Sequence, residues 1–207
     1  MTDSPFFPAT AMPDDDWWQA LWPDPKAVLT QVGIAPGMRV IDLCCGNGHF
    51  TAPLAEVLGP GGHIHALDFL PDMLTQARQR MAASGNPEML APCNWLEGDA
   101  GKIDKMLEGS PSADALLIAN TFHGVPDQPA LAAAARRTLK GNGLFIVINW
   151  HPHPREETVV LDQPRGPKTD MRMPPEEVAR MVEPAGFKLN QVVDLPPYHY
   201  ASVFHIA

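Results

Sequence analysis

From residue 38 onward, short runs of aliphatic and β-branched residues alternate with longer amphipathic runs, a pattern that predicts strand–helix units. It places strands at residues 38–43, 63–68, 93–97, 113–119 and 144–150, and helices at 49–58, 71–84, 102–108 and 129–139. Punctuation agrees with the pattern. Gly59-Pro60-Gly61-Gly62 closes the first of these helices, Pro71 opens the second, and Gly85 lies just past its end. Residues 113–119 are nearly all apolar, as in a strand buried on both faces. Lys140-Gly141-Asn142-Gly143 reads as a turn. Five such units imply a parallel sheet covered by helices. Further on, a proline-rich loop leads to a helix at 175–183 and strands at 187–193 and 200–206. Only residues 194–199 join that last pair, too few for a parallel crossover, so the two strands are expected to be antiparallel. Ahead of the sheet, residues 16–22 and 25–32 read as two helices. Trp18, Leu21 and Trp22 share a face of the first, and Asp24-Pro25 caps the second.

Composition narrows the function classes. A chain of 207 residues suits one domain with decoration, and 45% apolar with 19% charged residues is ordinary globular usage. A net charge of −9 repels phosphate backbones and anionic lipid, so a small-molecule substrate is expected rather than nucleic acid or a membrane. No window approaches the roughly 18 apolar residues of a membrane span, and the first sixteen residues show no basic stretch followed by an apolar one. Cys44, Cys45 and Cys93 are too few and too irregular for a disulfide framework, and a cytoplasmic protein is expected. The 23 prolines crowd the N-terminal segment and residues 152–175, which read as structured loops or lids.

Ligands of open parallel sheets sit beyond the carboxyl ends of the strands, so the residues after each strand carry the chemistry. After the first strand comes Asp42-Leu43-Cys44-Cys45-Gly46-Asn47-Gly48, whose small residues let backbone approach a ligand. After the second comes Asp68, placed to accept hydrogen bonds from both hydroxyls of a ribose. Gly98-Asp99-Ala100 follows the third. A dinucleotide loop wants G-x-G-x-x-G, but the chain offers Cys44, Gly46 and His49, and Asp42 would repel a pyrophosphate. S-adenosylmethionine, with a sulfonium, an ammonium and no phosphate, suits an acidic loop better.

The segments VIDLCCGNG, HALDFLPDMLTQA, EGDA, ADALLIANTFHGVPD and LKGNGLFIVIN resemble class I S-adenosylmethionine-dependent methyltransferases over about residues 38–149. The family pattern D/E-x-G-x-G-x-G lands on Asp42, Cys44, Gly46 and Gly48, with Cys44 in place of the first glycine. The DLCCG form is similar to loops of quinone-pathway C-methyltransferases, and Asp68-Phe69 with Met73 matches the family's second motif. The resemblance implies a Rossmann-like, doubly wound α/β fold: a seven-stranded sheet, mostly parallel, with the last strand antiparallel. It implies that Asp42 and the backbone of Cys44, Gly46, Asn47 and Gly48 hold the methionine portion and Asp68 the ribose. It puts Phe69 and Met73 in the same site, Asp99 and Ala100 at the adenine, and Asn120 near the amino acid end. His123 and His151 follow the fourth and fifth strands and are candidates for a catalytic base. Trp18, Trp22, Tyr198 and His199 are candidates for the substrate wall. Residues 1–35 read as a helical segment and candidate lid over a cofactor-binding domain at 36–207. No ligand spacing typical of zinc is present, and no metal is expected. The expected function is methyl transfer to a small molecule. A non-catalytic sensor or scaffold binding the same nucleoside, and an NAD-dependent oxidoreductase, are the alternatives.

Overall fold

The computed structural model describes residues 15–107 and 112–207; residues 1–14 of the expected helical lid segment and Glu108, the expected end of a helix, lie outside them. Two short helices come first, α1 (Asp15–Leu21) and α2 (Pro25–Gln31). Asp24 starts α2 by accepting a hydrogen bond from the Ala27 N–H at 3.0 Å, and Pro25 at the first helical position has no N–H to leave unpaired. The alternating body follows as β1 (Arg39–Leu43), α3 (Thr51–Leu58), β2 (His63–Asp68), α4 (Pro71–Ala83), β3 (Cys93–Glu97), α5 (Ile103–Met106), β4 (Ala113–Ala119), α6 (Gln128–Thr138) and β5 (Leu139–Trp150). Then come a small hairpin, β6 (Val159–Val160) and β7 (Gln163–Pro164), the helix α7 (Pro175–Val182), and β8 (Phe187–Leu195) with β9 (His199–Ile206).

The main sheet has seven strands in the order β3-β2-β1-β4-β5-β9-β8. Neighbours from β3 to β5 are parallel, and β9 runs antiparallel to both β5 and β8, as the short connection required. Both final strands are longer than predicted, leaving only residues 196–198 between them. The predicted turn at Lys140-Gly143 lies inside β5: Leu139 pairs with Ala113, and Leu144 with Ala115, so the turn residues form an irregularity within the ladder. A second register slip falls between Leu189 and Gln191 on the edge strand β8.

Strand alternation divides the core between two faces. Val40, Ile64, Leu117 and Ile148 pack with Leu29, Leu54 and Leu58 under α2 and α3. Ile41, Leu67, Leu116, Ile118 and Phe145 pack with Leu131, Ala135 and Val178 under α6 and α7. Burial on both faces is why β4 and β5 read as nearly unbroken apolar runs. Trp17, Trp18 and Trp22 of the N-terminal segment join the first of these layers. Among the described residues, no helix is long and apolar enough to cross a membrane.

Candidate active site

Strand order reverses between β1 and β4, and the crevice at that switch point is a cavity of about 1240 Å³. That exceeds the roughly 300–1,000 Å³ of a typical single-ligand site, so a nucleoside and a second molecule fit together. Asp42, Cys44, Gly46, Asp68, Phe69, Met73, Asp99, Ala100, Asn120 and His123 all line it.

Asp68 ties two loops together. Its Oδ2 accepts from the Gly46 N–H at 2.8 Å and its Oδ1 from the Leu70 N–H at 2.9 Å, so the carboxylate braces the glycine loop while facing the cavity. Burial raises its carboxyl above the usual range, opposed by the N–H groups of Leu70, Gly46 and Phe69. Asp99 accepts from the Gly101 N–H at 2.9 Å and is more exposed. Cys44 adopts φ 60°, the left-handed conformation a glycine would take without strain. Burial and the carboxylates of Asp68, Asp42 and Asp99 push its thiol far up, so it stays a neutral small side chain.

Gly48, at φ +81°, supplies the close packing that the dinucleotide spacing lacked: a Cβ there would lie 2.8 Å from both Cα and Cβ of Ala77 on α4. Asn47 sits beside it, buried, with its carbonyl accepting from Arg80 Nε at 3.2 Å. These two build the loop from behind and do not line the cavity.

Asn120 follows β4 at φ 59°, held there by its N–H donating to the Ile148 carbonyl at 2.8 Å. Its side-chain amide is buried, and neither Oδ1 nor Nδ2 has a partner among the described residues. A buried amide left unpaired costs about 1–3 kcal/mol, so this one is built for a ligand with both a donor and an acceptor. His123 Nδ1 lies 3.4 Å from Asn149 Oδ1. With that oxygen accepting, Nδ1 carries the proton and Nε2 keeps its lone pair. Burial lowers the pKa of His123, which keeps the ring neutral.

Residues 34–182 match a family described as a methyltransferase domain. The chain belongs to this methyltransferase family. A demethylmenaquinone methyltransferase of Staphylococcus aureus is 28% identical over 123 residues, 59% of this chain and 47% of the relative. The match thus spans about half the length of that curated relative. A S-adenosylmethionine-dependent methyltransferase from Aquifex aeolicus has the same fold, with a TM-score of 0.77, 23% identity and 94% of each chain covered. Aeropyrum pernix fibrillarin, solved with natively bound S-adenosylmethionine, superposes with a TM-score of 0.59 and 19% identity over 83% of this chain and 67% of its own. These findings place the methyltransferase in the class I S-adenosylmethionine-dependent superfamily, with the seven-stranded sheet that its motifs implied.

The cavity of this methyltransferase fits the family's cofactor on its own chemistry. Three carboxylates suit a cationic nucleoside, the crowded glycine loop leaves backbone open, and the orphaned Asn120 amide offers both a donor and an acceptor.

Asp42 is 2% exposed and accepts from Thr51 Oγ1 at 2.6 Å. Burial, its largest influence, pushes its carboxyl from 3.8 up to about 6 despite the Thr51 hydrogen bond. A folded-state pKa above the unfolded value favours the protonated native form, so this group's contribution to stability is fully present below 3.8 and is lost as pH rises through about 6. Asp42→Asn is therefore expected to gain about 3 kcal/mol over wild type at neutral pH and nothing near pH 4. Melting temperatures across that range check it; equal gains at both ends would contradict it.

Besides Asn47 and Gly48, four predicted site residues do not line the cavity. Trp22 is buried between Phe50 and His199, with ring centroids at 5.3 and 4.4 Å. His199 is fully buried behind Trp150, at 4.1 Å between ring centroids. Tyr198 stacks on the same tryptophan at 6.2 Å and donates its hydroxyl to the Val159 carbonyl at 3.0 Å. His151 Nε2 lies 2.9 Å from Asp194 Oδ1, outside the cavity lining. For His199 the cause is the start of β9 one residue earlier than predicted: it pairs with Trp150 within the sheet instead of standing in the expected loop. Trp18 does line the cavity, joined by Trp17, Trp150, Arg155, Arg165 and Lys168, which sequence reading did not single out. Nothing in the sequence singles out the three basic residues, since acidic ones are interspersed with them in the same proline-rich stretch.

Proposed function

We propose that the protein transfers a methyl group from S-adenosylmethionine to a small-molecule acceptor in the cytoplasm, with residues 1–35 as a lid segment on the 36–207 domain. The observation that carries the reading is convergence: Asp42, Asp68, Asp99 and Asn120 follow four neighbouring parallel strands and meet in one cavity. When bound, the cofactor supplies an electrophilic methyl carbon on a cationic sulfur. Asp68 accepts from the ribose hydroxyls while bracing Gly46, Asp99 with Ala100 seats the adenine, and Asn120 meets the amino acid end. Phe69 and Met73 cover apolar parts. Asp42 and the backbone of Cys44 to Gly48 hold the methionine portion, with Asn47 and Gly48 acting by shaping the loop.

The acceptor binds beside Trp17, Trp18 and Trp150, a wall suited to a planar or apolar molecule and in keeping with the quinone substrate named for the Staphylococcus aureus relative. Neutral His123 takes the acceptor's proton at Nε2 as the new bond forms, and Asn149 fixes the tautomer that makes this feasible. His151, hydrogen-bonded to Asp194 outside the cavity lining, takes no part in the proton transfer.

Labelled-donor turnover with an acceptor pool separates this reading from a non-catalytic sensor. His123→Ala is expected to lower turnover about a hundredfold with cofactor affinity unchanged. Binding of S-adenosylmethionine without any turnover would favour the sensor, and full activity of the variant would remove the base.

A further inference from the structure

The cavity walls carry opposite charges at opposite ends. Asp42 and Asp68 stand at the carboxyl ends of β1 and β2 and Asp99 just after β3, whereas Arg155, Arg165 and Lys168 stand on the segment after β5, across the switch point. The chain has only 15 basic residues against 24 acidic ones, so three bases on one wall run against its mean charge. None of the three is ion-paired among the described residues. The same loop puts one carboxylate on that wall, Asp170. Asp127, also lining, is spent as the cap of α6, accepting from the Ala130 N–H at 3.0 Å.

The loop is fixed in place. Arg172, 6% exposed, donates to the carbonyls of His153 at 2.9 Å and of Arg165 and Pro167 at 3.2 Å, and to Thr158 Oγ1 at 2.9 Å. Its guanidinium lies 5.1 Å from the Trp150 ring centroid. Gly166, at φ +88°, sits so close to the same ring that a Cβ would fall 2.9 Å from it. Arg165 is thereby held with its guanidinium 5.3 Å over the Trp17 ring, and its Nε is buried with no hydrogen-bond partner. That Nε–H lacks an acceptor, and the planar fork of a guanidinium matches carboxylate and phosphate alike.

Resting on the reading of this cavity as a methyl-transfer site, we propose that the acceptor is a planar molecule bearing an anionic oxygen group, carboxylate or phosphate. Arg165 and Lys168 take the anion, and the tryptophan wall takes the ring. An acceptor of this class differs from the neutral quinone named for the relative above.

Calorimetric titrations of the full chain with hydroxynaphthoate, naphthyl phosphate and neutral naphthol, each with and without S-adenosylhomocysteine, test the assignment. At least one anion is expected to bind about tenfold more tightly than naphthol, and the preferred anion tells carboxylate from phosphate. Arg165→Gln with Lys168→Gln is expected to abolish that preference while leaving affinity for the nucleoside and the circular dichroism spectrum unchanged. Should the double variant misfold, Lys168→Gln at the exposed position is expected to narrow the preference alone. Wild type binding naphthol as well as either anion, or a preference that survives the substitutions, would overturn the proposal. Failure of S-adenosylhomocysteine to bind would instead count against the methyl-transfer reading, since the anion preference is also read without it.

Discussion

Asp68→Ala is expected to lower affinity for S-adenosylmethionine about a thousandfold in a calorimetric titration, while the fold persists. Two effects combine. The variant loses a charged acceptor for two ribose hydroxyls, each such hydrogen bond contributing roughly 1.5–3 kcal/mol. It also releases the Gly46 N–H, held at 2.8 Å, and the Leu70 N–H, held at 2.9 Å, so the glycine loop loses its brace to the end of β2. Asp68→Asn keeps one acceptor oxygen and is expected to fall between wild type and alanine. Affinity within a few-fold of wild type in Asp68→Ala would remove the ribose seat from the end of β2.

Gly48→Val is expected to destabilise the fold by about 4 kcal/mol, seen as a lower urea midpoint at unchanged slope. Backbone at φ +81° resists any β-branched side chain, at about 2 kcal/mol, and a Cβ 2.8 Å from Ala77 forces α4 away from the loop for about as much again. Ala77 is fully buried, so α4 has no slack on that side. Gly37→Val is the matched control: its φ of +79° is similar, but no atom lies within 4 Å of its Cβ position, so only the backbone cost is expected. Equal losses at the two sites would show that close packing at Ala77 contributes nothing.

What the sequence made legible follows from how local each determinant is. Strands 63–68, 93–97 and 113–119 were placed to the residue, because each ends at a glycine, proline or polar turn and is filled by apolar pairs. The carboxylates after three strands were equally plain, since strand order in such sheets puts their carboxyl ends at one rim. Less local features were hidden. The ladder irregularity at 140–143 looks identical to a free turn until β4 supplies partners on both sides of it. Trp22, Tyr198 and His199 carry site-like chemistry, yet burial against Phe50, Trp150 and one another decided their place, and those partners lie far outside any local window of the chain. Arg165 shows the converse. Nothing in its neighbours marks it, and it reaches the cavity because Arg172 folds the chain back on itself.

The slipped register on β8 bears on a hazard common to open sheets. β8 is the outermost strand, and it carries Lys188, Asp194 and the exposed Val192. A straight, evenly paired border there would present a row of unsatisfied amides and carbonyls to any neighbouring chain. The break between Leu189 and Gln191 twists that border and, with its charges, interrupts the template on which further strands would otherwise accumulate into aggregates.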